Sequence, residues 1–267
     1  MTGRIFLLFV AVFLVSCSEG EDTAQEYDVL ILDGTIYDGS GGDPYVADLA
    51  ISGDRIAAIG DLDDATAATV IDAEGMAVSP GFINMLSWAT DTLIVNGLGL
   101  SDLKQGVTLE VFGEGWSYGP WSDEMKAENL ERQTDIKYDI EWTTLGEYLE
   151  YLETKGVAMN VASFVGATTL RIHEIGYEDR KATDEELARM QDLVRDAMRE
   201  GALGVGSSLI YAPAFFADTR ELIALASAAG EFDGMYISHM RSESGAIFEA
   251  LDELITIARE ADVPAEV

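Results

Sequence analysis

Two possible metal ligands each follow a predicted β-strand in this chain of 267 residues. His239 ends the apolar run that begins at Gly234, and Glu114 lies between two glycines after the strand that begins at Val107. Imidazole nitrogen and carboxylate oxygen are both common zinc ligands. We therefore interpret Glu114 and His239 as candidate ligands of one divalent metal. The alternatives are a hydrogen-bonded core histidine and a solvated carboxylate in a turn.

Two arginines are candidates for binding a substrate carboxylate. A guanidinium group binds a carboxylate through two parallel hydrogen bonds. Arg241, close after His239, is the better candidate, and Arg171 is the other. The chain has 49 acidic residues against 16 basic ones, so pairing with an Asp or Glu of the chain itself is the alternative for both. His173 is interpreted as a surface histidine in a loop.

The elements that must position these side chains alternate between strand and helix over residues 76–267, which is typical of a parallel α/β array. The opening stretch, residues 76–88, is apolar on both faces and predicts a buried first strand. Further strands are predicted to begin at residues 107, 160, 204, 234 and 264. The predicted helices cover residues 92–105, 143–155, 183–200, 219–229 and 246–261. Residues 116–141 show no clear period and predict a long loop that forms a substrate wall.

A small β domain is predicted over residues 27–75, where short strands are separated by Asp-Gly and Gly-Asp turns. The order of its pieces, followed by Pro-Gly-Phe-Ile at residues 80–83, resembles the amidohydrolase superfamily. This resemblance covers residues 27–267. It implies an α/β protein in which a small β-sandwich domain precedes a (β/α)8 barrel of the TIM type with one or two divalent metals.

Three stretches resemble the D-aminoacylases, which are N-acyl-D-amino-acid deacylases. They are residues 160–166 (Asn-Val-Ala-Ser-Phe-Val-Gly), residues 201–213, and residues 238–243 (Ser-His-Met-Arg-Ser-Glu). The resemblance implies metal-dependent hydrolysis of a linear amide bond in a small-molecule substrate. It makes His239 the first of two late histidine ligands and makes Tyr211 a substrate contact. Packing of Tyr211 beneath the barrel rim is the alternative.

The chain departs from the family pattern at two places. Leu86 and Trp88 stand where the superfamily has a His-x-His pair, and neither side chain can bind a metal. Glu114, in a Gly-Glu-Gly turn, stands where the D-aminoacylases have a cysteine ligand. We therefore expect a single metal, zinc, bound by Glu114 and His239. The alternatives are a binding protein that has lost catalysis and an amidohydrolase acting on cyclic amides or dipeptides.

The first 26 residues predict export and lipid attachment. Residues 1–17 contain Arg4, an apolar run too short to span a bilayer comfortably, and a Leu-Val-Ser-Cys sequence that resembles a bacterial lipobox. Cys17 is the single cysteine of the chain. Residues 18–26 would form a tether, and the protein would be a membrane-anchored lipoprotein in the periplasm or on the cell surface. An ordinary signal peptide is the alternative.

The overall charge and length give two further expectations. A net charge of −33 argues against nucleic acid as a partner, because few cations are present to neutralise phosphates. A parallel barrel cannot close without its last strands. We therefore expect this chain to be an incomplete barrel, the N-terminal fragment of a longer protein and inactive alone, with the second late histidine and an aspartate general base beyond Val267.

Overall fold

The structure is a computed structural model that describes residues 26–267. It divides into two compact units, the first ending at Pro80 and the second covering Gly81–Val267. The predicted signal peptide and Cys17 lie outside the described residues. No helix within residues 26–267 combines the length and the apolar character needed to cross a membrane.

The first unit is a single mixed sheet within the described residues. Its strands are β1 (Glu26–Ile36), β2 (Tyr45–Ser52), β3 (Arg55–Gly60), β4 (Thr66–Asp72) and β5 (Ala77–Val78). The long strand β1 pairs antiparallel with β2 on one side, and parallel with β4 and then β5 on the other. The described residues of this unit therefore form one sheet, and the two-layered sandwich stays a prediction. Its small core contains Tyr27, Leu30 and Ala50.

The second unit contains seven parallel strands, because the stretch predicted to begin at residue 160 forms two of them. They are β6 (Phe82–Asn84), β7 (Val107–Phe112), β8 (Asn160–Ser163), β9 (Val165–Gly166), β10 (Gly204–Ser208), β11 (Met235–His239) and β12 (Ala265–Glu266). The strand orders are β6-β7-β8 and β9-β10-β11-β12. Only Phe164 separates β8 from β9, and its amide donates to the carbonyl of Phe112 at 2.9 Å. One extended segment therefore pairs first with β7 and then with β10.

Eight α-helices connect these strands. They are α1 (Thr90–Val95), α2 (Leu100–Leu103), α3 (Asp123–Arg132), α4 (Leu145–Lys155), α5 (Ala167–Ile175), α6 (Asp184–Arg199), α7 (Thr219–Gly230) and α8 (Ile247–Ala261). A capping box begins α6. Thr183 Oγ1 accepts from the amide of Glu186 at 3.2 Å, and the Glu186 carboxylate accepts from the amide of Thr183 at 2.8 Å. Both contacts satisfy amides that have no partner within the helix.

The prediction of one buried strand over residues 76–88 is wrong. Residues 77–78 pair with β1 in the first unit, whereas residues 82–84 form β6 in the second. Phe82 and Ile83 are 60% and 55% exposed. The reason is that Pro80 and Gly81 separate the two strands, and β6 lies at the edge of its sheet.

The predicted helix over residues 92–105 is two short helices. Gly99 has φ +48°, a left-handed conformation, and it caps the start of α2 after an irregular turn. The expected loop around His173 is also wrong, because residues 167–175 form α5.

The predicted substrate wall over residues 116–141 contains a helix and part of the core. Ser122 Oγ accepts from the amide of Met125 at 3.3 Å and caps α3. Trp121 and Trp142 are each 1% exposed, with ring centroids 6.1 Å apart. These aromatic side chains pack inside the second unit, so most of the aromatic residues of this segment stabilise the fold.

Candidate metal and substrate site

A cavity of about 290 Å³ lies beside the carboxyl ends of β7, β11 and β12. Strand ends of this kind are where parallel α/β proteins place their binding sites. The cavity lining combines apolar side chains with polar ones that can bind a metal. The apolar group includes Met85, Leu86 and Met240, and the polar group includes Glu114, His239 and Glu243.

Glu114 and His239, predicted separately, meet in this cavity. Glu114 Oε1 lies 3.1 Å from His239 Nδ1, and the two side chains are 11% and 20% exposed. Zinc binds nitrogen and oxygen ligands at about 2.1 Å, so two neighbouring ligands in a tetrahedral site lie about 3.3 Å apart. The two atoms therefore already have the spacing of neighbouring ligands of one ion.

The other ring nitrogen of His239 has no aligned hydrogen bond. Nε2 is buried and without a hydrogen-bond partner, although Glu243 Oε1 lies 3.2 Å away. A buried polar nitrogen left unpaired costs about 1–3 kcal/mol, so such atoms usually have a ligand or partner in the working protein. The donor set of Glu114 Oε1 and His239 Nδ1 fits a divalent cation, and Nε2 is left for a hydrogen-bond partner.

Four glycines allow the Glu114 turn to lie directly against β9 and β10. A Cβ on Gly113 would overlap the carbonyl of Phe164, and one on Gly206 would overlap the carbonyl of Gly113. A Cβ on Gly166 would overlap the carbonyl of Gly115. Any larger residue at these positions would push the turn away from the sheet. The glycines therefore determine where the Glu114 side chain begins.

Ser208 orients the carboxylate of Glu114. It is the last residue of β10 and is 7% exposed. Its Oγ donates to Glu114 Oε2 at 2.8 Å, which leaves Oε1 on the side of His239. Sequence reasoning missed Ser208, because one hydroxyl at a strand end carries no distinguishing signal.

The chain is similar to known proteins over most of its length. The chain is 38% identical over 245 residues to D-aminoacylase from Alcaligenes xylosoxydans xylosoxydans, a match that covers 91% of this chain and 50% of that protein. The chain is D-aminoacylase-like. The resemblance found in the sequence is thereby confirmed, although no family model matches.

Two solved structures share the mixed α/β fold of this D-aminoacylase-like chain. A D-aminoacylase described by one-metal activation and second-metal attenuation of its binuclear centre has a TM-score of 0.82 at 34% identity, covering 90% of this chain and 50% of that one. N-acyl-D-glutamate deacylase from Bordetella bronchiseptica, complexed with zinc and a phosphonate inhibitor, has a TM-score of 0.80 at 30% identity, covering 91% and 51%. The chain spans about half the length of these relatives.

The end of β6 has apolar side chains, Leu86 and Trp88, where the ends of β7 and β11 have Glu114 and His239. Leu86 and Trp88 are both more than half exposed, at 52% and 58%. Leu86 lines the cavity and presents only hydrocarbon to it. The expectation of a single metal therefore stays a prediction with this support.

Tyr211 lies beside the metal site. Its ring is 58% exposed and meets the His239 ring edge-on, with centroids 5.4 Å apart and an interplanar angle of 84°. Tyr211 is not among the residues that line the cavity. Its role in substrate binding stays a prediction.

Arg241 is occupied by contacts within the chain. Its Nε and Nη2 donate to Glu253 at 2.8 and 2.9 Å, and its Nη1 and Nη2 donate to the carbonyls of Phe215 and Ala217 at 2.8 and 2.9 Å. These contacts favour the structural alternative over substrate binding, which stays a prediction.

The contacts of Arg171 are also with residues of the chain itself. It is fully buried and pairs with Glu221 at 2.7 Å. Burial raises the pKa of the Glu221 carboxyl despite the neighbouring charge of Arg171. His173 is partly buried on α5, with Nδ1 2.9 Å from Glu174 Oε1. Neither Arg171 nor His173 lines the cavity that contains His239.

Proposed function

We propose that the protein is a metal-dependent hydrolase of linear amide bonds that acts on N-acyl-D-amino acids and uses one zinc ion. The observation that carries this proposal is the 3.1 Å approach of Glu114 Oε1 to His239 Nδ1 at the strand ends. The similarity to D-aminoacylase supports the choice of substrate. In this proposal residues 81–267 form part of a (β/α)8 barrel.

The residues of the chain have separate roles in this reaction. Glu114 and His239 would hold a divalent metal, which would supply polarisation of the amide carbonyl and a lowered pKa of bound water. Ser208 keeps the Glu114 carboxylate turned towards His239. Tyr211 donates from its phenol to an oxygen of the substrate, beside the His239 ring. The apolar lining supplied by Leu86 and Met240 limits the access of water to the cavity.

Metal analysis of the purified protein, combined with a screen of N-acyl-D-amino acids, tests this proposal. The expected result is one equivalent of zinc and release of free D-amino acid. Glu114→Ala is expected to lose the zinc and the activity together. Glu131→Ala, which removes an exposed carboxylate on α3, is the matched control and is expected to keep both. A protein that hydrolyses these substrates without stoichiometric metal contradicts the proposal.

A second candidate function is a binding protein that has kept the fold and lost catalysis. Leu86 and Trp88 favour it, because they leave the β6 end without metal ligands. This candidate predicts that N-acyl-D-amino acids bind and are recovered intact. Isothermal titration followed by chromatography of the recovered ligand separates the two functions.

We also propose that Cys17 is lipidated and anchors the protein to a membrane outside the cytoplasm. The lipobox sequence supports this proposal. Cys17→Ser is expected to abolish incorporation of radiolabelled fatty acid and to release the protein from the membrane fraction. Unchanged labelling of that variant would contradict the assignment.

A further inference from the structure

Two carboxylates face the two ring nitrogens of His239. Glu114 faces Nδ1, and Glu243 faces Nε2. Glu243 Oε1 lies 3.2 Å from Nε2, whereas Glu114 Oε1 lies 3.1 Å from Nδ1. The two ring nitrogens point in different directions, so one ion bound to one nitrogen cannot have both carboxylates as ligands. One carboxylate must share the metal with His239, and the other faces the remaining nitrogen.

The surroundings of the two carboxylates distinguish them. Glu114 is 11% exposed, is held by Ser208 and begins from a turn packed against the sheet, whereas Glu243 is 65% exposed. A metal ligand is best held rigidly, because reorganisation weakens binding. A carboxylate that accepts the N–H of a metal-bound histidine only has to remain within hydrogen-bond distance.

We propose that Glu243 is a positioning residue for His239. It accepts the hydrogen of Nε2, and this contact fixes the tautomer in which Nδ1 is free to bind the metal beside Glu114. The distance already suits a hydrogen bond, and rotation of the exposed carboxylate brings it into line. Negative charge at this position also makes Nδ1 a stronger ligand. The inference rests on the proposed function, because it gives that metal site its orientation.

The position of the hydrogen on the His239 ring tests the inference in the zinc-loaded protein. Long-range ¹⁵N–¹H NMR reports which ring nitrogen carries the hydrogen and which binds the metal. The chain has two histidines, so His173→Gln assigns the signals. With zinc bound, His239 is expected to carry its hydrogen on Nε2. Glu243→Ala is expected to give a mixture of tautomers, and Glu243→Gln, whose amide carbonyl can still accept, is expected to keep the original one.

Zinc affinity gives the second measurement. Loss of a partner of this kind typically weakens metal binding by about 10- to 100-fold. Titration of zinc into the full chain is expected to show that loss for Glu243→Ala and a smaller one for Glu243→Gln. Glu266→Gln is the control for charge, because Glu266 lines the same cavity and makes no ion pair with His239 in the described chain.

The outcomes separate this inference from the proposed function. A Glu243→Ala variant that keeps a single tautomer and binds zinc as well as Glu266→Gln overturns the positioning role. If Glu243→Ala abolishes zinc binding as completely as Glu114→Ala, Glu243 is a ligand and the inference is wrong. A wild-type protein that binds no zinc overturns the proposed function, whereas a zinc-loaded protein with the hydrogen on Nδ1 overturns the positioning role alone.

Discussion

Two ends of the same parallel array differ in how they present their side chains. At the ends of β7, β10 and β11, the side chains of Glu114, Ser208 and His239 are mostly buried and contact one another. At the end of β6, Leu86 and Trp88 are more than half exposed and apolar. The difference is that close backbone packing holds the turn of Glu114 in place, whereas β6 is an edge strand in the part of the chain that the structure describes.

The packing behind Glu114 is most directly broken at Gly206. A Cβ there would overlap the carbonyl of Gly113, so Gly206→Ala must displace the Glu114 turn or the strand. We expect a loss of about 3 kcal/mol in the free energy of unfolding, the upper range for overpacking a core. Urea denaturation measures it. Gly245→Ala is the control, since a Cβ there has open space, and equal stability of the two variants would contradict the explanation.

Arg241, two residues after His239, connects the end of β11 to α8 through its ion pair with Glu253. Arg241→Ala leaves Glu253, whose side chain is 13% exposed, without its partner. We expect a loss of about 2 kcal/mol in unfolding free energy, less than for a fully buried pair because Arg241 is 24% exposed. Thermal denaturation measures this loss. A variant that keeps its stability and instead raises the KM for N-acyl-D-amino acids would support the substrate-binding role.

Introducing histidines at the end of β6 tests whether their absence limits metal binding. The double variant Leu86→His, Trp88→His replaces two exposed side chains, so we expect a change in stability within about 0.5 kcal/mol. We expect the zinc content to rise from one to two equivalents, as measured by metal analysis after dialysis. Wild-type protein that retains two equivalents would show that the β6 end does not limit metal binding.

The smallest expected effect is on the dependence of stability on pH, and it concerns Glu186 at the start of α6. Hydrogen bonds from Arg180, with those from Thr183, lower the pKa of Glu186 to about 2 from 4.5. A lowered pKa in the folded state means that the contribution to stability is present above about pH 4.5 and is lost as the pH falls towards 2. The free energy of unfolding of Glu186→Gln is therefore expected to fall less steeply than that of the wild type as the pH is lowered. Circular dichroism measures the unfolding. Glu131→Gln is the control, and identical acid profiles for wild type and Glu186→Gln would contradict the assignment.

Glu114 and His239 lie close together because parallel strands share one edge, and their role as metal ligands stays a prediction. The sequence predicted the strand positions from residue 107 onward well, because these depend on local patterns. It predicted the β6 stretch poorly, because apolar composition reports the tendency to be buried and not the presence of a neighbour. The partners of Arg241 and the contact of Glu243 with His239 depend on residues brought together by the fold. No spacing in the sequence identifies which of 49 acidic residues faces which cation.

Phe164, the single residue between β8 and β9, has a consequence for hydrogen exchange. Its amide donates to the carbonyl of Phe112, and the neighbouring carbonyl of Ser163 accepts from the amide of Leu203 at 2.9 Å. The segment is thus bonded on both sides, and Phe164 is fully buried. Its amide can exchange with deuterium only when the bond to Phe112 opens, and because Phe164 is buried this requires the segment to separate from β7. Amides of β6 can exchange through local fraying, so protection against deuterium should decline from the Glu114 side towards Leu86.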